Sequence, residues 1–143
     1  MRAQPRCIQC LAMVAALLSL SLVAGTAWAQ NDSTELEPRV DEQAGVRVEV
    51  VPGPVADGEP LVFQVYFNTH SVDLGFDVQE IARLEVDGGK TYDPVAWEGS
   101  SPGGHHRSGR LTFGPVDGGQ YMKLTLEGIG GVDRVFEWGR RGS

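Results

Sequence analysis

Leu61-Val62-Phe63-Gln64-Val65-Tyr66-Phe67-Asn68 decides the fold. Its large apolar residues at 61, 63, 65 and 67 recur with a period of two, which puts them on one face of an extended strand and Gln64, Tyr66 and Asn68 on the other. The same period runs through Val46, Val48 and Val50, which alternate with Arg47 and Glu49 until Pro52-Gly53-Pro54 breaks the run as a turn. Two strands are expected here, the first with one wet face and the second more deeply buried.

Downstream, Phe67 leads into a polar loop, Asn68-Thr69-His70-Ser71-Val72-Asp73. Asp77 followed by Glu80 suits a capping box, so at most one helical turn is expected before Ala82. Residues 84–86 and 91–97 flank Asp87-Gly88-Gly89, whose residues tolerate the positive φ that a tight hairpin demands. Gly88-Gly89-Lys90-Thr91 copies the tail of a phosphate-binding loop, but that pattern needs glycine where Leu84 stands, and a hairpin offers no helix N-terminus to an anion. Leu111 and Phe113 mark another strand, Met122, Leu124 and Leu126 alternate with Lys123, Thr125 and Glu127, and residues 135–138 close the domain.

The count is about seven short strands separated by turn signals, with no helix long enough to cover a sheet. This pattern predicts an all-β fold, an immunoglobulin-like antiparallel β-sandwich, with a small barrel as the alternative. Trp97 and Trp138 are the candidate core anchors.

Arg2 and Arg6 precede a run, residues 11–23, that is apolar apart from Ser19 and Ser21 and ends in Ala27-Trp28-Ala29. A short apolar run closed by a small-x-small triplet predicts a signal peptide over residues 1–29, cleaved after Ala29; as an uncleaved anchor it would be short for a membrane span. Either reading places the domain outside the cytoplasm, secreted or periplasmic. Cys7 and Cys10 fall within this segment, so the expected mature chain has no cysteine for a disulfide, thiol catalysis or a thiolate-ligated metal.

Cleavage leaves 114 of the 143 residues, one ordinary domain. Removing Arg2 and Arg6 from the 12 basic residues leaves 10 against 19 acidic, a net charge of −9. Nucleic acid and anionic membrane surfaces both require a basic face, so no nucleic-acid partner and no membrane association after cleavage are expected. Residues 30–44 carry Asp32, Glu35, Glu37, Asp41 and Glu42 with little to bury, and read as a flexible acidic leader, or alternatively as a cation-collecting arm. Asn31-Asp32-Ser33 fits a glycosylation sequon. The sandwich is expected over residues 45–139, followed by a polar tail over 140–143.

Chemistry, if the chain has any, concentrates in Gly103-Gly104-His105-His106-Arg107-Ser108-Gly109 and in the loop holding His70. Three imidazoles, His70, His105 and His106, with Asp73 or Asp77 adding oxygen, make a donor set suited to copper or zinc. Adjacent histidines on a strand face opposite ways, however, so both ligate one ion only if Gly103 and Gly104 let the loop curl, and Arg107 sets a fixed positive charge beside it. The competing expectation is a structural latch, in which Arg107, Gly103 and Gly104 tie strand ends together and Arg107 pairs with Asp73 or Glu98. Ser71 and Ser108 lie near histidines, but no G-x-S-x-G elbow accompanies them, and the chain is not expected to be an enzyme.

Asn68-Thr69-His70-Ser71-Val72-Asp73-Leu74, Trp97-Glu98-Gly99, the histidine loop, and residues 129–136 together resemble a group of small secreted bacterial and archaeal domains. The resemblance covers most of the chain after Gly45 and implies the strand reading; it brings no activity, cofactor or partner with it. The expected function is that of a non-enzymatic binding or accessory module with an extracytoplasmic protein partner and no cofactor, the alternative being copper or zinc binding.

Overall fold

The structure is a computed structural model that describes residues 35–139 apart from Gly118. The expected signal peptide, residues 30–34 of the leader and the polar tail over 140–143 lie outside the described residues. In chain order the elements are β1 (Arg39–Gln43), β2 (Val46–Pro52), β3 (Pro60–Thr69), α1 (Val78–Ile81), β4 (Ala82–Val86), β5 (Lys90–Tyr92), β6 (Pro94–Gly99), β7 (His106–Pro115), β8 (Tyr121–Ile129) and β9 (Val132–Gly139).

The strands form two antiparallel sheets, one ordered β1-β2-β3-β7-β6 and the other β5-β4-β8-β9. This is the sandwich that the alternation predicts. Val46, Val48 and Val50 of β2 and Leu61, Phe63, Val65 and Phe67 of β3 are buried on the inner face of the first sheet, opposite Leu84, Leu124, Leu126 and Phe136 of the second. Trp138 is the buried anchor, packed on Phe63 with ring centroids 5.5 Å apart, and Phe63 meets Phe113 edge-on at 5.8 Å. Trp97 is half-buried at one margin of the core.

Nine strands rather than about seven are described, for two reasons. The single strand expected over 91–97 is divided between sheets: β5 pairs with β4 in the second, β6 with β7 in the first. Pro94 sits at the crossing, where its missing N–H and the restriction it imposes on Asp93 favour leaving one ladder for another. The second addition is β1, which corrects the expectation of a flexible leader through Ala44. Residues 39–43 pair in register with 46–50 of β2 across a turn at Ala44 and Gly45, both at positive φ. Upstream, Leu36 is buried and the Glu37 carbonyl accepts a hydrogen bond from Trp138 Nε1 at 2.7 Å. The ordering of this acidic segment comes from its ladder to β2, from the burial of Leu36, and from side chains of β9 about a hundred residues away.

The expected helical turn is present as α1, with the Asp77 carboxylate accepting from Gln79 N at 2.8 Å. At the end of the sandwich remote from the histidines, Asp87 takes positive φ in the β4–β5 hairpin, and its carboxylate accepts from Gly119 N at 3.1 Å and Tyr121 N at 2.9 Å. These bonds, Gly119 first, hold the Asp87 carboxyl below its usual value of 3.8. Because the folded pKa is depressed, the charged side chain stabilises the fold above about pH 3.8, and that contribution disappears as pH falls through the lower folded pKa. Asp87→Asn tolerates the same backbone. Its urea midpoint is expected to lie below the parent's at pH 7, with the gap narrowing below pH 3.8 and closing under stronger acid; a gap unchanged between neutral and acidic pH would contradict the assignment.

Candidate functional site

The histidine loops meet where β3 ends and β7 begins. The Thr69 hydroxyl donates to the Gly45 carbonyl at 2.8 Å and accepts from Ser71 N at 3.2 Å and Val72 N at 3.0 Å, folding the chain back directly after β3. The returning segment is bonded to the 103–105 loop: Thr69 N donates to the His105 carbonyl at 2.9 Å, Gly103 N to the Leu74 carbonyl at 2.9 Å, and Leu74 N to the Gly104 carbonyl at 3.3 Å. Gly103 and Gly104 carry φ of +105° and +78°, conformations that glycine adopts without steric cost. The loops thus continue the hydrogen bonding of the sheet past the ends of its strands.

Strand alternation then points His106 outward and Arg107 into the sandwich, where Arg107 is 3% exposed. Its Nη1 donates to the carbonyls of Leu74 at 2.8 Å and Phe76 at 2.7 Å, and its Nη2 to that of Ser100 at 3.1 Å. The guanidinium carbon lies 5.2 Å from the Phe76 ring centroid and 6.0 Å from that of Trp97. Burial draws the guanidinium below its ordinary pKa, opposed by the Asp77 carboxylate. Trp97 reaches this position because Gly99 and Gly109 lie opposite one another: a Cβ on Gly109 would stand 2.7 Å from Trp97 Cζ2 and 2.7 Å from Gly99 Cα.

Arg107 was expected to tie strand ends together with Gly103 and Gly104 by pairing with Asp73 or Glu98; its donors go instead to the carbonyls of Leu74, Phe76 and Ser100. Arg107 pairs with neither Asp73 nor Glu98; Glu98 projects outward and pairs with Arg110 at 2.9 Å, on the face opposite Arg107. Loop carbonyls that lie inside the end of the sandwich require donors, and a guanidinium carries five N–H groups to serve them. Thr69, Phe76, Trp97 and Ser100 were not foreseen as members of this cluster.

The histidines themselves are at the surface. His70 and His105 are exposed, and His106 lies on the outer face of the first sheet with Nδ1 2.8 Å from Asn68 Oδ1. Asp73 is exposed and Asp77 caps α1. Among the described residues no group of three or more His, Cys, Asp or Glu side chains is gathered to hold a metal ion, so His70, His105, His106 and Asp73 do not form a common ligand set.

A second feature, not foreseen, lies on the side of the sandwich where β1 edges one sheet and β9 the other. Arg134, fully buried on the inner face of β9, donates through Nη1 to the Asp41 carboxylate at 2.7 Å, and through Nη2 to the Gln43 carbonyl at 2.5 Å and the Ile129 carbonyl at 3.3 Å. With the Trp138 bond to Glu37, this ties β1 and the residues just before it to β9 at two points. Between the ties runs a groove of about 330 Å³ lined by Arg39, Val40, Asp41, Val135, Phe136 and Glu137. Phe136 is buried, while Val40 and Val135 are 48% and 49% exposed. The Glu137 carboxylate accepts the Tyr121 hydroxyl, which raises the phenol's pKa above its usual value.

No protein-family model, curated protein or solved structure matches the chain.

Proposed function

We propose that this chain is a non-enzymatic binding or accessory module working outside the cytoplasm, with its contact surface on the strands of the sandwich and its histidine loops serving as structure. The observation that carries this reading is the bonding of the loops: main-chain groups of residues 69, 74, 103, 104 and 105 bind one another, and Arg107 is engaged by three carbonyls. The extracytoplasmic placement rests on the signal-peptide pattern of residues 1–29.

Two measurements test it. The variant His105→Ala with His106→Ala is expected to unfold within about 4 °C of the parent, since it deletes one exposed hydrogen bond worth on the order of 1 kcal/mol at most and leaves the main-chain bonds intact. Calorimetric titration of the tag-free mature protein with copper(II) or zinc is expected to show no stoichiometric site; a micromolar site lost in the double variant would overturn the reading. In the producing cell, a photo-crosslinking residue at Val40, Tyr66 or Val135 is expected to give a discrete protein adduct, whereas adducts confined to positions 70 and 105 would place the surface on the loops instead.

A further inference from the structure

We infer that the groove between β1 and β9 receives an extended, cationic peptide segment, which adds to the edge of β9 as a further strand. This rests on the binding-module reading and names the surface and the chemistry of its partner.

The four sheet edges differ in how they are guarded. β6 begins at Pro94 and bulges between Pro94 and Ala96, and β5 is three residues long; proline, bulges and shortness are the devices that keep an edge from pairing. β1 has five residues. β9 has eight, contains no proline, and among the described residues pairs only with β8. It is the longest edge and has no proline or bulge of its own; its inward charge, Arg134, is neutralised by Asp41, and the groove lies along it. A strand added there gains main-chain hydrogen bonds, and its alternate side chains meet whatever the groove presents.

The groove presents an apolar centre, Phe136 flanked by Val40 and Val135, so one side chain of the incoming segment is apolar. Around that centre the charge is mostly negative. Asp41 is matched by Arg134, which leaves Arg39 against Glu137 in the lining; exposed Glu37 and Asp133 lie at the two ends, and the chain as a whole carries −7. Neighbouring side chains of the segment are therefore basic, and long-range attraction between the acidic domain and such a segment speeds their encounter. A second copy of this chain is the poorer occupant. Antiparallel pairing of two β9 strands about Val135 would set Asp133 against Glu137 twice, and like charges directly opposite are destabilising.

Fluorescence anisotropy with the mature domain and a labelled heptapeptide of alternating lysine and valine tests this. Saturable binding is expected, weakened about tenfold or more by Val135→Arg, by replacing the peptide's lysines with glutamate, and by N-methylating its backbone amides on the hydrogen-bonding side. Val135 is exposed, so Val135→Arg is expected to keep the parent's melting temperature. Equal binding by the N-methylated peptide or by Val135→Arg would reduce the interaction to unspecific charge attraction and overturn the proposal, as would no binding at millimolar domain. If the peptides fail while crosslinks form at Tyr66, the groove assignment falls and the binding-module reading stands; crosslinks at the histidine loops alone would overturn both.

Discussion

Arg107→Ala is expected to lower the unfolding free energy by about 3 kcal/mol or more, a large part of the roughly 5–15 kcal/mol typical of a domain. The substitution leaves the carbonyls of Leu74, Phe76 and Ser100 without their donor. A buried polar group deprived of its partner costs roughly 1–3 kcal/mol, and losing the guanidinium from between Phe76 and Trp97 adds about 0.5–2 kcal/mol, while relief from burying a cation offsets part of this. A fall in melting temperature of about 12 °C or more follows for a domain of this size. The conservative variants separate causes. Arg107→Lys keeps the charge but offers one nitrogen where the geometry requires two, Nη1 toward Leu74 and Phe76 and Nη2 toward Ser100, so it recovers less than half of the loss. Arg107→Met fills the space without donors and ranks below lysine. A methionine variant as stable as the parent would show that the carbonyls find other partners and that Arg107 does not hold the loops.

Arg134→Ala is expected to cost about 3–5 kcal/mol, the range for removing one partner of a buried ion pair. Arg134 is wholly buried and Asp41 is 24% exposed, so the carboxylate left behind is partly screened by water and the lower half of that range applies. The loss should be concentrated in β1. Asp41 and Arg134 lie ninety-three residues apart in the chain, and with the Gln43 carbonyl released as well, β1 keeps its ladder to β2, with the Trp138 bond to Glu37 just upstream. Limited proteolysis within residues 36–45 should therefore accelerate more than cleavage elsewhere. A double-mutant cycle with Asp41→Asn should return a coupling of about 1–3 kcal/mol. Additive effects of the two substitutions would mean that the contact contributes nothing beyond its separate side chains.

Most of the sandwich was legible because its central strands obey one rule. In β2 and β3 every inward position from Val46 to Val50 and from Leu61 to Phe67 is large and apolar, and those residues are buried. The rule fails where side-chain chemistry replaces hydropathy. In β9 the inward positions are Arg134, Phe136 and Trp138, while Val135 faces out, so a reading by hydropathy inverts the first half of the strand. In β7, Arg107 holds an inward slot ahead of Gly109, Leu111 and Phe113, and Gly109 is small because Trp97 needs its space. A basic residue in an inward slot near the start of an amphipathic strand is the signal that would have found both guanidinium clusters. Nothing local to residues 35–43 reveals β1, whose anchors are Arg134 and Trp138. The histidine loop was recognised as the polar end of the domain, but its side chains and its main chain act separately: the imidazoles lie at the surface while the amides and carbonyls bond inside.

Amide hydrogen exchange at Thr69, Leu74 and Gly103 tests most directly the claim that the histidine loops are held as part of the sandwich. These three N–H groups donate to the carbonyls of His105, Gly104 and Leu74. In the parent they are expected to exchange orders of magnitude more slowly than an unstructured loop, and in Arg107→Ala to lose that protection while the β8 amides keep more of theirs. Free-loop exchange rates at these three amides in the parent would contradict the account.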